Sequence, residues 1–105
     1  MISVPDVSTV KALELSKIQV TCDAILAEVL RQDILARRGK FGGTHILPSG
    51  PDHARLGVLI EEVGEVAREL NEALIKGQLD KDALVKELVQ VGACAAAWAT
   101  ALTPA

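Results

Sequence analysis

The sequence predicts an all-α protein, and three observations lead to that fold class. Half of its 105 residues are hydrophobic, yet Phe41 and Trp98 are the only aromatic ones, so the apolar content is the Leu, Val, Ile and Ala that packed helices favour. Apolar residues recur at helical spacing in three long segments. Glycine and proline are concentrated in residues 39–51, between the first segment and the second. At this length we expect a single domain, residues 1–105, with one modest core.

The first helix is expected to follow a short tail, residues 1–7, with Ser8 or Thr9 as its N-cap. It would end at the Gly/Pro-rich loop of residues 39–51. That loop is long for a small domain, and long ordered loops are often functional.

The second helix is expected from Pro51–Asp52 to Ile75, because Asp52 suits an N-cap and Gly77 suits a stop. The third helix is expected to start after Asp80, as its cap, and to end near residue 102. The short turn between them favours an antiparallel helical hairpin. On a helical wheel the second helix carries one apolar stripe, made of Leu56, Ile60, Val63, Ala67, Leu70 and Leu74.

The third helix is apolar on nearly every side, and beyond Lys86 its only charged residue is Glu87. A helix of that kind is normally buried on nearly all sides. Three helices of a 105-residue chain cannot easily surround one of their own, so we expect its second face to meet another subunit. The small residues of the stretch "GACAAA" would let helices approach closely. The expected architecture is a bundle based on a helical hairpin and completed by formation of a homodimer or homotetramer.

The charge and hydropathy patterns exclude two classes of partner. The net charge is -3 and the pI is near 5.3, whereas general nucleic-acid binders show a basic balance. The apolar run of residues 88–102 is too short to span a bilayer, and the N-terminus has no recognisable signal peptide. Cys22 and Cys94 lie far apart in apolar helical patterns and are expected to be free, buried thiols rather than a disulfide. We therefore expect a cytoplasmic protein.

Two short acidic motifs are the strongest functional signal. Glu62 and Glu65 are three residues apart on the second helix. Glu87 and Gln90 have the same spacing on the third helix, so in an antiparallel hairpin the two pairs would face each other. Three carboxylates and an amide oxygen suit Mg²⁺ or Mn²⁺ rather than Zn²⁺. A metal ion would also explain Glu87, because an unpaired carboxylate is costly in an apolar helix.

These motifs resemble those of the MazG-like proteins, the all-α nucleoside triphosphate pyrophosphohydrolases, which carry E-E-x-x-E on one helix and E-x-x-D on the next. The stretch "EEVGE" at residues 61–65 matches the first element in full. The stretch "ELVQ" at residues 87–90 matches the second except at its last position. Further upstream, "RQD" at residues 31–33 and "GKFGGTH" at residues 39–45 are similar to a segment found in part of the family.

The resemblance implies a fold, an activity and a set of site residues. Members of the family form helical bundles in dimers or tetramers, with active sites inside the bundle. They cleave a nucleoside triphosphate between its α- and β-phosphates to the monophosphate and pyrophosphate, which implies a role in nucleotide-pool house-cleaning. The implied catalytic residues are Glu61, as a metal ligand or water-orienting base, and Glu62. The implied Mg²⁺ ligands are Glu62, Glu65, Glu87 and, in the place of the family's Asp, Gln90.

Gln90 is the departure from the family pattern, because a neutral amide coordinates a metal only through its oxygen. Three interpretations are open: a branch that uses Gln, a site with fewer direct ligands, or a lost activity. We favour the first, because the other three acidic positions are intact. Gln90 would otherwise satisfy a neighbouring polar group.

Basic and aromatic residues near the loop are candidates for binding the substrate. Lys40, Arg55 and Lys86 would hold phosphates, or would simply be solvated. Phe41 would stack on a nucleobase, or would fill the gap between loop and bundle. The predicted activity has one rival from another class, a catalytically silent helical oligomerisation module that binds nucleotide or a protein partner.

Overall fold

The computed structural model describes residues 3–38 and 52–104, and within these ranges it is all-α, as the sequence predicts. The helices are α1 (Ala12–Arg37), α2 (Asp52–Lys76) and α3 (Lys81–Leu102), and the described residues include no strand. The Gly/Pro-rich loop predicted at residues 39–51 lies outside the described residues, as do the first two residues of the predicted tail.

Local signals explain where two of the helices end. The Asp80 side chain accepts a hydrogen bond from the backbone N–H of Ala83 at 3.0 Å, so the predicted cap of α3 is confirmed. Gly77 follows α2 with a φ of +73°, a left-handed conformation that suits glycine and stops the helix. The predicted cap of α1 is wrong, because that helix begins at Ala12 after Lys11. The N–H of Ser8 instead bonds to the Asp6 carboxylate at 2.9 Å, within a turn.

α3 is the central helix, because α1 and α2 both pack against it. α2 and α3 form the predicted antiparallel hairpin, which a hydrogen bond closes at its open end. Trp98 Nε1 donates to Asp52 Oδ1 at 2.9 Å, so the end of α3 is joined to the start of α2. Asp52, predicted as an N-cap, is the first residue of α2 itself.

α1 lies across the hairpin rather than alongside it. The molecule measures 42 × 39 × 23 Å, and two of these dimensions match the length of a single long helix, which is about 39 Å for 26 residues. No Cα atom of α1 comes within 8 Å of one in α2. The contact between α1 and α3 is close, because a Cβ atom at Gly92 would lie 2.8 Å from Ile25 Cδ1. The small residues of α3 therefore receive α1 of the same chain.

The core is small and lies where α1 crosses α3. Val29, Ala93 and Ala97 are buried there, with Ile25 and Ala96 packed against them. α2 has no buried residue, and its partly buried positions do not include the predicted apolar stripe. That stripe is exposed along its length, with Ile60 at 61% and Leu74 at 82%. Most of the apolar surface of α2 therefore has no partner within the described chain.

Candidate functional site

The centre of the candidate site is the Glu62 carboxylate on α2, which faces α3. Its partly buried position raises the pKa of Glu62 above its ordinary value, because burial disfavours the charged form. The negative charge of Glu87 on α3 raises this pKa further, and so do those of Glu65, Glu61 and Glu28. Carboxylates from all three helices therefore lie within electrostatic range of one another.

The surroundings of Glu62 do not balance this negative charge. Among the described residues, no ion pair reaches Glu62 or Glu87. Glu65 is partly neutralised, because Arg68 pairs with it from the next turn of α2. Glu61 is exposed on the same helix, and its charge acts on the neighbouring Glu62.

Glu28 of α1 belongs to this group of carboxylates, although the sequence motifs did not identify it. Its carboxylate accepts a hydrogen bond from Arg31 Nε at 2.9 Å and another from Gln32 Nε2 at 3.0 Å. The hydrogen-bonded Arg31 guanidinium lowers the pKa of Glu28 to about 2, with further lowering by hydrogen bonds from Gln32 and Gln90, against an opposing effect of burial. Glu28 is therefore held in its charged form.

Gln90 joins α3 to α1 through its side chain. The Oε1 atom of Gln90 accepts a hydrogen bond from Gln32 Nε2 at 2.8 Å. The same Gln32 amide group also donates to Glu28, so the three side chains form one hydrogen-bonded chain. The amide oxygen that would ligate a metal ion therefore has a protein partner in this structure.

The donor set fits a divalent metal in its chemistry, but its spacing is wider than a coordination sphere. Carboxylate oxygens are the ligands that Mg²⁺ prefers in proteins. Over the part of the chain that the structure describes, no group of three or more His, Cys, Asp or Glu side chains is close enough to hold an ion. Like charges repel, and among the described residues no cation bridges Glu62 and Glu87, whereas Glu65 pairs with Arg68 and Glu28 with Arg31.

Cys94 lies one turn beyond Gln90 on the same side of α3. Burial raises the pKa of the Cys94 thiol, and the charges of Glu62 and Glu28 raise it further. The thiol therefore stays protonated at neutral pH, which suits packing rather than nucleophilic chemistry. Cys22 and Cys94 are both free, as the sequence predicts, but Cys22 is exposed and Cys94 only partly buried, so the expectation that both are buried is wrong.

The structure describes two of the four candidate substrate-binding residues, and both lie on the hairpin. Lys40 and Phe41 lie outside the described residues. Arg55 is partly buried on α2, two turns before Glu62. Lys86 is exposed on α3, directly before Glu87. The structure therefore brings Arg55 and Lys86 onto the hairpin that carries the acidic motifs.

The "RQD" stretch contributes one residue to the site and one to the helix contact. Gln32 reaches Gln90, whereas Asp33 is buried at 8% exposure on the face of α1 that carries Val29. Asp33 Oδ2 accepts a hydrogen bond from Arg37 Nε at 2.7 Å, and its buried Oδ1 has no hydrogen-bond partner among the described residues. The only sequence signal for Glu28 was its spacing of three and four residues from Arg31 and Gln32, which places all three on one side of α1.

No family model, curated protein or solved structure matches the chain. Within residues 3–38 and 52–104, none of the helices combines the length and the apolarity needed to cross a membrane.

Proposed function

We propose that the protein is a Mg²⁺-dependent, cytoplasmic nucleotide pyrophosphohydrolase that converts a nucleoside or deoxynucleoside triphosphate to its monophosphate and pyrophosphate. The observation that carries this proposal is the environment of Glu62. This partly buried carboxylate is surrounded by the charges of Glu87, Glu65, Glu61 and Glu28 and has no cation paired with it among the described residues. Such a cluster costs free energy unless a bound cation offsets the repulsion.

In this proposal Glu62, Glu65 and Glu87 hold the metal ion. A bound Mg²⁺ supplies a positive charge that attracts the triphosphate and lowers the pKa of a water molecule. Mn²⁺ has similar ligand preferences and would replace it. Arg68 would release Glu65 when the ion binds, because the pair is exposed and weak. Gln90 acts as a positioning residue, since its amide oxygen already accepts from Gln32.

The reaction is a hydrolysis that balances without a further reactant. A water oxygen forms a bond to phosphorus while the bridging P–O bond between the α- and β-phosphates breaks. The proton of the water passes to a carboxylate, for which Glu61 is the candidate because it is exposed and adjacent to Glu62. Pyrophosphate leaves, and Arg55 and Lys86 on the hairpin are the described cations that would neutralise it.

The proposal includes assembly into a homodimer or homotetramer. The apolar stripe of α2 is exposed, so a second copy has an apolar surface to bury against. The role we assign to such an enzyme is removal of unwanted or excess nucleotides.

Release of pyrophosphate from a panel of nucleoside triphosphates, with Mg²⁺ and with EDTA, tests the activity. We expect Mg²⁺-dependent release from at least one nucleotide and a decrease of about 100-fold or more in kcat/KM for Glu62→Gln. Glu72→Gln is the matched control, because Glu72 lies on the same helix and pairs with Lys76 outside the cluster. A fully active Glu62→Gln protein would overturn the assignment of Glu62.

The second candidate is a catalytically silent helical module that binds nucleotide or a protein partner. The hydrogen bond between Gln90 and Gln32 favours it, because an oxygen occupied by an amide is less available to a metal ion. The same panel separates the two candidates. Absence of turnover on every nucleotide, with nucleotide binding retained in calorimetry, would establish the silent module instead.

A further inference from the structure

The first half of α1 has no partner within the described chain. Every residue of this segment, residues 12–24, is exposed, although the segment is helical throughout. We call it the α1 arm, and it is about 20 Å long. It carries large apolar side chains on more than one side, including Leu13, Ile18 and Val20. Helices in proteins gain most of their stability from a packed apolar face, which this half of α1 lacks within the described chain.

A second unpartnered surface lies on the α2–α3 hairpin. Its residues are all apolar and exposed. On α3, Leu88 lies about 160° around the helix axis from Gln90, which belongs to the candidate site. This surface therefore faces away from the carboxylates of the candidate site. We call it the hairpin outer face, and it consists of Leu56, Ile60, Val63, Leu70 and Leu74 on α2 with Val85, Leu88 and Leu102 on α3.

The size of the exposed surface matches what a stable dimer buries. The accessible surface of the chain is 8018 Å², against about 5,650 Å² for a folded monomer of 11.1 kDa. The radius of gyration is 16.0 Å, against about 13 Å for a compact chain of 105 residues. The whole chain therefore exposes about 2,400 Å² more than a compact monomer of its mass, an excess of the order that a homodimer buries.

We propose that the α1 arm of one copy packs on the hairpin outer face of a second copy, and that the exchange is reciprocal. The proposal specifies the surfaces of the assembly that forms part of the proposed function. The arm cannot cover the outer face of its own hairpin, because α1 is one continuous helix that lies across α3 and projects away from it. A two-fold exchange covers both surfaces in both copies and leaves neither open to a third copy.

The lengths and chemistry of the two surfaces agree. The arm spans about 20 Å, and the part of α2 between Leu56 and Leu74 spans about 27 Å, so the arm fits along it. Both surfaces present Leu, Ile and Val side chains. The carboxylates around Glu62 lie on the other side of the hairpin, so the interface does not bury that acidic cluster.

Sedimentation equilibrium of two double variants tests the two surfaces separately. Leu13→Glu/Val20→Glu places charge on the arm, and Leu70→Glu/Leu74→Glu places charge on the outer face. We expect the wild type to sediment as an assembly of an even number of 11.1-kDa chains, and each double variant to sediment as a monomer of 11.1 kDa. Val4→Glu, in the exposed tail, is the matched control and should keep the wild-type mass. Circular dichroism of each variant checks that helix content is retained.

Mixing the two double variants distinguishes this pairing from arm-to-arm or face-to-face contact. The arm variant keeps an intact outer face, and the face variant keeps an intact arm, so a mixed dimer has one complete arm–face contact. We expect the mixture to sediment at twice 11.1 kDa, although each variant alone is monomeric. A mixture that stays monomeric would overturn the proposal, and so would a monomeric wild type. Because the readout is mass, absence of pyrophosphate release would leave this result unaffected.

Discussion

The amide oxygen of Gln90 on α3 accepts a hydrogen bond at 2.8 Å from the side chain of Gln32 on α1. These residues are 58 positions apart in the sequence, and their hydrogen bond joins α1 to the hairpin that carries the acidic motifs. Gln32 also donates a hydrogen bond to Glu28, which adds a carboxylate from α1. Gln90, the residue that differs from the MazG-like pattern, therefore makes a structural contact in this chain.

The Gln32–Gln90 hydrogen bond should couple the two residues energetically. We expect a double-mutant cycle of Gln32→Ala and Gln90→Ala to give an interaction free energy of about 0.5–1.5 kcal/mol in chemical unfolding. The pair is partly buried, so the bond is not fully screened by water. Additive effects of the two substitutions would show that the contact is not formed in solution.

Glu62 should destabilise the metal-free protein at neutral pH. The pKa of Glu62 in the folded state lies above its ordinary value of 4.5. Above pH 4.5 the folded state therefore binds more protons at this residue than the unfolded state, and stability falls as the pH rises. We expect Glu62→Gln to raise Tm in EDTA at neutral pH, with the difference from wild type vanishing below pH 4.5, where Glu62 is protonated in both states. An unchanged or lowered Tm at neutral pH would contradict the crowding of carboxylates around this residue.

Glu28 should act with the opposite sign. Its folded-state pKa is lowered from 4.5 to about 2, so its stabilising effect is present above pH 4.5 and is lost as pH falls towards 2. We expect Glu28→Gln to cost about 1 kcal/mol at neutral pH, because Arg31 is largely exposed and the pair is screened. Glu14→Gln, on the exposed arm, is the control. Equal acid sensitivity of wild type and Glu28→Gln would refute this role.

Gly92 should be intolerant of side chains because α1 passes close to it. A Cβ atom there meets Ile25 Cδ1 at 2.8 Å and Cγ1 at 3.2 Å, so a branched side chain must displace Ile25. We expect Gly92→Val to destabilise the protein by about 1–3 kcal/mol in urea unfolding. Gly57 on α2 has nothing within 4 Å of such a position, so Gly57→Ala should stabilise by about 0.5–1 kcal/mol. Equal effects at both glycines would contradict the close helix contact.

Local features of the fold could be read from the sequence because short-range chemistry determines them. Asp80 caps α3 through a residue three positions away, and Gly77 ends α2 through its own backbone conformation. The cap of α1 was misread because Ser8 takes part in a turn with Asp6, a competing local hydrogen bond. The helix begins instead after Lys11, whose side chain makes no cap hydrogen bond and so gives no capping signal in the sequence.

Only part of the candidate site could be predicted from the sequence. The spacing of Glu62 and Glu87 placed them on facing sides of a hairpin, because a short turn leaves an antiparallel arrangement as the natural one. Glu28 could not be found in this way, since its position depends on how α1 crosses α3. The apolar stripe of α2 was visible in the sequence, but periodicity does not say whether its partner is the same chain or another copy.

Binding of Mn²⁺, followed by electron paramagnetic resonance of the free ion, tests most directly whether the carboxylates around Glu62 hold a divalent metal. We expect the wild type and Glu72→Gln to remove Mn²⁺ from solution and Glu62→Gln to leave it free, with Mg²⁺ displacing the bound ion. A wild type that leaves all Mn²⁺ free, or a Glu62→Gln protein that binds as tightly as the wild type, would contradict the metal site.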